Sequence, residues 1–221
     1  MTQTVLITGA ASGIGLAMTQ QYLAQGNQVT ACCRSSSDAL AALDCEVVTD
    51  VDVTQPESVD RLKSKLAGRS IDILINCAGL LTNESLDDLC FNRIQTQWEV
   101  NALGPLRMTE ALLPCLNEGS KIAMITSRMG SIGDNTSGSR YGYRMSKAAL
   151  NAASKSLAED LKPCGISVAI LHPGLVSTRM IGFSGDISPA EAAQRLMVRI
   201  EQLDLTNTGT FWHSNGDVLP W

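Results

Sequence analysis

The feature that most constrains this chain is near its amino end. Thr4-Val5-Leu6-Ile7 is short, largely apolar and β-branched at three positions, and Thr8-Gly9-Ala10-Ala11-Ser12-Gly13-Ile14-Gly15 follows without a break. Helix-forming residues then run from Leu16 to Ala24, before Gly26 stops them. A strand, a glycine-rich turn and a helix in immediate succession is a nucleotide-binding beginning. Gly9 permits the tight turn, Gly13 lets a pyrophosphate approach the backbone, and Gly15 lets helix and strand pack closely. The free N–H groups and partial positive charge of the helix N-terminus face that anion. The spacing is GxxxGxG rather than GxGxxG, and three glycines also fit an ordinary strand–helix turn.

The rest of the chain alternates strands with helices. Val29–Cys32 is a second strand, and the residues after it select between cofactors. An Asp or Glu there binds a ribose 2′-hydroxyl; this chain has Cys33-Arg34-Ser35. Arg34 can face a 2′-phosphate with a charge-assisted fork and Ser35 can add a hydroxyl, which favours NADP(H) over NAD(H). The other reading of Arg34 is a solvated loop cation. Glu46–Thr49 is a third strand. At its end Asp52 is the candidate to accept a hydrogen bond from an adenine amino group, with Val53 beside it; Asp50 is the alternative, or simply faces water. Pro56–Leu66 is an amphipathic helix with Pro in its first turn. Ile71–Ile75 is a buried strand ending in Asn76-Cys77-Ala78-Gly79, where small side chains let a cofactor lie against the backbone.

Residues 92–116 read as one long periodic helix that contains Asn101. An amide among apolar neighbours, just ahead of Gly104-Pro105, predicts a local distortion. Lys121–Thr126 is the fifth strand, and Ser127 stands at the edge where parallel sheets bind ligands. Residues 128–142 form a Gly- and Ser-rich loop. It leads into Tyr143-Arg144-Met145-Ser146-Lys147, the start of a helix that runs to about Lys162, where Pro163 and Gly165 end it. Tyr143 and Lys147 stand at i and i+4 and share one helix face. A free tyrosine titrates near ~10, and a cation held close by favours the phenolate, so Tyr143 becomes a candidate general acid and base. A surface Tyr–Lys pair is the alternative. Tyr141 has Met145 at i+4 and is assigned to the pocket wall. Ser167–His172 is the sixth strand, before Pro173-Gly174; His172 reads as structural rather than as a base. Pro189–Leu203 is a last amphipathic helix and Thr208–His213 a final strand. Between them, Met180, Ile181 and Phe183 offer either an apolar substrate face or packing on the domain.

Composition narrows the partners. A net charge of −5 with no dense Lys/Arg run points away from nucleic acid. No apolar run approaches the length of a membrane span. Met1-Thr2-Gln3 leads straight into a strand, which implies no signal peptide and a cytoplasmic protein. The 7 cysteines lack CxxC spacing and the 2 histidines lie far apart, so no metal site is expected and the cysteines read as reduced and mostly buried. At 221 residues the chain suits one α/β domain spanning 1–221.

In order and approximate spacing, Thr8-Gly9-xxx-Gly13-Ile14-Gly15, Asn76-x-Ala78-Gly79, Asn101, Ser127, Tyr143-xxx-Lys147 and Pro173-Gly174 resemble the short-chain dehydrogenase/reductase family over nearly the whole chain. The YRMSKAALN wording, the extended loop before it and the Leu219-Pro220-Trp221 ending look most like its C-factor-like, carbonyl-reductase-like branch. Cys77 departs from the usual Asn-Asn-Ala-Gly. The resemblance implies a doubly wound, mainly parallel sheet of about seven strands in the order 3-2-1-4-5-6-7. It implies NADP(H) bound by Gly9, Ala11, Ser12, Gly13, Ile14, Gly15, Arg34, Ser35, Asp52, Val53, Asn76, Ala78, Gly79, Tyr143, Lys147, Pro173, Gly174, Val176 and Thr178. It makes Tyr143 the proton donor to a carbonyl oxygen and Ser127 the group that holds that oxygen. Lys147 lowers the Tyr143 pKa and binds the nicotinamide ribose, Asn101 holds a water that links Lys147 to solvent, and Val176 and Thr178 touch the carboxamide. The expected partner is a small carbonyl or alcohol substrate. A homodimer or homotetramer is expected through the Ala-rich helix 148–161. The other class is a cofactor-binding regulatory or signalling protein of C-factor type with little turnover.

Overall fold

Consecutive buried positions along β1 (Thr4–Thr8) set the layers. Val5 and Ile7 point to one face of the sheet and Leu6 to the other, as a period of two requires, and each belongs to a separate apolar cluster. The computed structural model describes residues 2–221. After β1 come α1 (Gly13–Ala24), β2 (Gln28–Cys32), α2 (Asp38–Ala41), β3 (Glu46–Val48), α3 (Pro56–Leu66) and β4 (Ile71–Asn76). The chain continues through α4 (Phe91–Trp98), α5 (Gly104–Leu112), β5 (Leu116–Ile125), α6 (Tyr141–Leu161), β6 (Ser167–His172), α7 (Pro189–Glu201) and β7 (Phe211–His213).

The strands form a 7-stranded sheet in the order β3-β2-β1-β4-β5-β6-β7, as the resemblance implies. Every neighbouring pair is parallel, the last included. Helices cover both faces. Met18, Leu196 and Ile200 of α1 and α7 pack with Val5 and Ile7, while Leu62, Met108 and Leu112 of α3 and α5 pack with Leu6. Each such side chain contributes about 1.5–3 kcal/mol by leaving water. The order reverses between β1 and β4, so the carboxyl ends of these strands open a crevice there.

The expectation of one helix over 92–116 is corrected. Regular α-helix ends at Trp98, Glu99–Leu103 is π-helical, and Gly104 donates its N–H to the Glu99 carbonyl five residues back. Pro105 has no N–H to offer the Asn101 carbonyl. A side chain at Gly104 would lie 2.6 Å from Val53, so the distortion also lets α5 press against the segment after β3. β5 begins at Leu116, five residues ahead of Lys121, and β7 is shorter than predicted. The one-turn α2, capped by the Ser37 hydroxyl on Leu40 N–H at 3.2 Å, carries too little periodicity to be read from sequence. All seven cysteines are free, but only Cys32, Cys33 and Cys115 are buried; Cys164 is exposed.

Candidate active site

The glycine turn is held in shape before any ligand arrives. Gly9 has φ +69, and a β-carbon there would meet Ala78 Cα at 2.8 Å, so β1 and β4 end in backbone contact. Thr8 fastens them: its hydroxyl accepts from Cys77 and Ala78 N–H at 3.0 and 3.1 Å. A β-carbon on Gly15 would lie 2.4 Å from the Gly9 carbonyl, which is the close strand–helix approach expected of that position. Gly13, at φ +56, meets only the Thr178 methyl, at 3.4 Å. Ser12 precedes α1 without a side-chain cap and no acid occupies the first turn. The N–H groups there remain available to an anion, framed by Ala11, Ser12, Gly13 and Ile14 on one side and Thr178 on the other. These features fit a dinucleotide pyrophosphate.

Arg34 and Ser35 are exposed beyond β2, and Arg34 lines one surface cleft with Asp52 and Arg61. Arg61, on α3, is a second cation at this end that sequence reasoning missed. One Asp52 oxygen accepts from Thr54 N–H and Oγ1 at 2.9 and 2.8 Å, which leaves only the other to face a ligand. Val53 is buried against Gly104, so its side chain belongs to the core. Asn76 also turns inward. Its amide donates to Thr109 Oγ1 at 3.2 Å, and the residue is 2% exposed, so its side chain is engaged in the interior.

Three close approaches bring the catalytic candidates together. A β-carbon at Gly142 would lie 2.3 Å from Gln97 Nε2, and one at Gly130 would lie 2.7 Å from the Lys147 carbonyl carbon. Thr126 Oγ1 donates to Asn151 Oδ1 at 2.6 Å. With α6 pinned to α4 and to the end of β5 in this way, Ser127 and Tyr143 come within reach of each other. Ser127 Oγ accepts from Met129 N–H at 3.1 Å and keeps its own proton for a second partner. Lys147, 4% exposed, has its ammonium 5.8 Å from the Tyr143 ring centre, and Nζ donates to the Ile125 carbonyl at 2.8 Å.

One expectation changes here. Burial pushes the Tyr143 hydroxyl up to about 12, against opposing pulls from a hydrogen bond with Ser127 and from the Arg140 charge. Burial also brings Lys147 down to about 8. The protein alone therefore holds Tyr143 as a neutral phenol, because burial outweighs the pulls of Ser127 and Arg140. The Asn101 side chain does not face Lys147. Its amide donates to the Leu80 carbonyl at 2.7 Å and to Ser146 Oγ at 3.0 Å, and Oδ1 accepts from Leu80 N–H at 2.8 Å. Asn101 thus ties the loop after β4 to α6.

Pro173 and Gly174 follow β6, and Val176 is buried in the segment beyond them. His172 packs edge-on against His213 at 4.9 Å, and burial drives it down to about 3, a neutral ring with a structural place. Met180 and Phe183 are exposed, and Met180 reaches toward Gly79 across the cleft. Tyr141, the first residue of α6, is also exposed. Sequence reasoning missed Glu84, 1% exposed, whose carboxylate meets Thr82 Oγ1 and Gln97 Nε2. An acidic residue in a polar stretch gives no periodic sign of burial.

A family model described as short chain dehydrogenase matches residues 3–188. Among curated proteins, 1-hydroxy-2-glutathionyl-2-methyl-3-butene dehydrogenase of Rhodococcus sp. (strain AD45) is 42% identical over 224 residues, 99% of each chain. The C-signal of Myxococcus xanthus is 40% identical over 154 residues, 68% of this chain and 93% of that one. Among solved structures, an NADPH-bound carbonyl reductase from chicken fatty liver superposes with a TM-score of 0.90 at 29% identity, over 100% of this chain and 99% of that one.

Proposed function

The chain belongs to the short chain dehydrogenase family of oxidoreductases, and from that premise we propose that it is an NADP(H)-dependent enzyme interconverting a ketone or aldehyde with an alcohol. The observation that carries this reading is the convergence of Ser127, Tyr143 and Lys147 beside the glycine turn. The NADPH bound to the chicken reductase supports the cofactor, as does Arg34 at the end of β2. Nicotinamide, when bound, gives or takes the hydride.

The chain's own residues handle orientation and the proton. Ser127, its Oγ already accepting from Met129, donates its hydrogen to the substrate oxygen and fixes where charge develops. Tyr143 donates its proton to the same oxygen during reduction; a phenol kept neutral by burial suits that direction. Lys147 uses one donor on Ile125 and keeps two for ribose hydroxyls, and its ammonium favours the phenolate left after transfer. The Asn101 carbonyl, unserved by Pro105, is the place for a water that returns a proton toward Lys147.

A second reading is a signalling protein with little turnover, favoured by the identity to the C-signal. The intact Ser127 and Tyr143 weigh against it. The relative from Rhodococcus adds alcohols that carry a glutathionyl group to the substrates worth trying. Consumption of NADPH and NADH across aldehydes, ketones, diketones and quinones separates the two readings, with NADP⁺-dependent oxidation of glutathionyl alcohols run alongside. Turnover that prefers the phosphorylated cofactor is expected. NADPH binding without turnover of any carbonyl or alcohol contradicts the enzyme.

A further inference from the structure

Arg140 is the last residue before α6 and stands beside Tyr143. Its backbone is in the left-handed region, φ +53, and so is that of Ser139, φ +54. Two consecutive non-glycine residues in that region are strained, and such conformations persist only where surrounding structure enforces them. The enforcement is visible. Arg144 reaches back to donate Nε to the Gly138 and Ser139 carbonyls at 3.2 and 3.1 Å and Nη2 to Ser137 Oγ at 2.9 Å. Arg140 N–H donates to the Glu84 carbonyl at 2.6 Å, and Glu84 is itself anchored in the buried group with Thr82 and Gln97.

The side chain these contacts hold out is also aimed. Arg140 Nε donates to Asn83 Oδ1 at 3.1 Å, and Nη1 lies 3.9 Å from the sulfur of Met129, whose own N–H binds Ser127. The guanidinium therefore bridges the loop after β4 and the loop after β5, across the mouth in which Ser127 and Tyr143 meet. Among the described residues it pairs with no carboxylate, whereas Arg128 in the same loop is neutralised by Asp134 and Arg93 by Asp88. Arg144 is occupied by backbone carbonyls. One oriented, unpaired fork is left at the entrance to the catalytic groups of a chain whose net charge is −5.

We propose that Arg140 binds a carboxylate on the substrate, so that the enzyme's preferred substrates are carbonyl or alcohol compounds that also carry an acid group. This rests on the oxidoreductase reading. The remaining Nη donors match a carboxylate in a charge-assisted contact, and Met180, exposed and reaching toward Gly79, offers an apolar surface to the uncharged part of the molecule. Arg140 acts as a specificity residue, apart from the proton transfer.

The test uses the full chain with NADPH and two oxo acids, 4-oxopentanoate and 6-oxoheptanoate, each beside its methyl ester. The readout is the acid-to-ester ratio of kcat/KM, which cancels any effect of the Arg140 charge on Tyr143. Arg140→Asn removes the cation while keeping a residue that tolerates left-handed backbone; Arg140→Lys keeps the charge without the fork. The wild type should favour at least one acid by about 10- to 100-fold, chiefly through KM, as a charged hydrogen bond implies. That ratio should fall to near unity in Arg140→Asn and recover in part in Arg140→Lys. Ester turnover with no acid preference, or a preference that survives Arg140→Asn, overturns the assignment and leaves the oxidoreductase standing. NADPH binding with no turnover of any acid or ester, nor of the wider carbonyl panel, removes both.

Discussion

Two strand-to-helix crossings at the same sheet edge solve opposite problems. From β1 to α1 the chain turns in residues 9–12 and leaves the helix N-terminus without a side-chain cap. From β5 to α6 it takes residues 126–140 and satisfies most of its polar groups internally, through Ser127, the Arg128–Asp134 pair and the Arg144 staple. The first crossing is a backbone surface that awaits an anion. The second is a braced frame that presents a hydroxyl, a phenol and an ammonium. Binding energy is assigned to the short crossing and proton chemistry to the long one.

Glycine substitutions break this comparison most sharply. Gly15→Ala forces a β-carbon toward the Gly9 carbonyl, and Gly130→Ala forces one toward the Lys147 backbone. Overpacking of about 1–3 kcal/mol is expected at each. In Gly15→Ala it should appear as NADPH affinity weakened about 10- to 100-fold. In Gly130→Ala it should appear chiefly as a comparable loss of kcat, with a smaller loss of affinity through the Lys147 donors to ribose. Titration of NADPH fluorescence and steady-state rates read the two separately. If both variants lose affinity alike, the division between crossings fails.

A smaller effect refines the cofactor end. Arg34→Ala should weaken NADPH about 10-fold, in line with one charged hydrogen bond, and leave NADH within a few-fold. A residual preference for NADPH in that variant would pass to Arg61, which shares the cleft. Equal losses for the two cofactors would return Arg34 to a solvated loop cation.

The short crossing was legible in the sequence because its function lies in the backbone, and backbone demands are written as glycines at fixed spacing. The Tyr143–Lys147 face was also readable, since a helical spacing of four residues carries it, whereas the sheet order came from the family resemblance and from no period in the chain. The long crossing was not. Nothing local marks Glu84 as buried, Gln97 as its partner, or Ser139 and Arg140 as left-handed; these follow from packing among α4, α6 and the loop after β4. Asn76, Val53 and Val176 show the converse. Their place in a motif points to a ligand, while nothing in that motif shows that their side chains are buried. The raised pKa of Tyr143 is hidden from the sequence for a related reason, because helix spacing shows the cation but not the burial of the phenol.

The most direct measurement is Tyr143→Phe beside the wild type, with one ketone, following both NADPH binding and its oxidation. The variant should bind NADPH as the wild type does and lose about 10²- to 10⁴-fold in kcat, as expected when a general acid is removed. Turnover within a few-fold of the wild type would contradict the assignment of proton chemistry to α6.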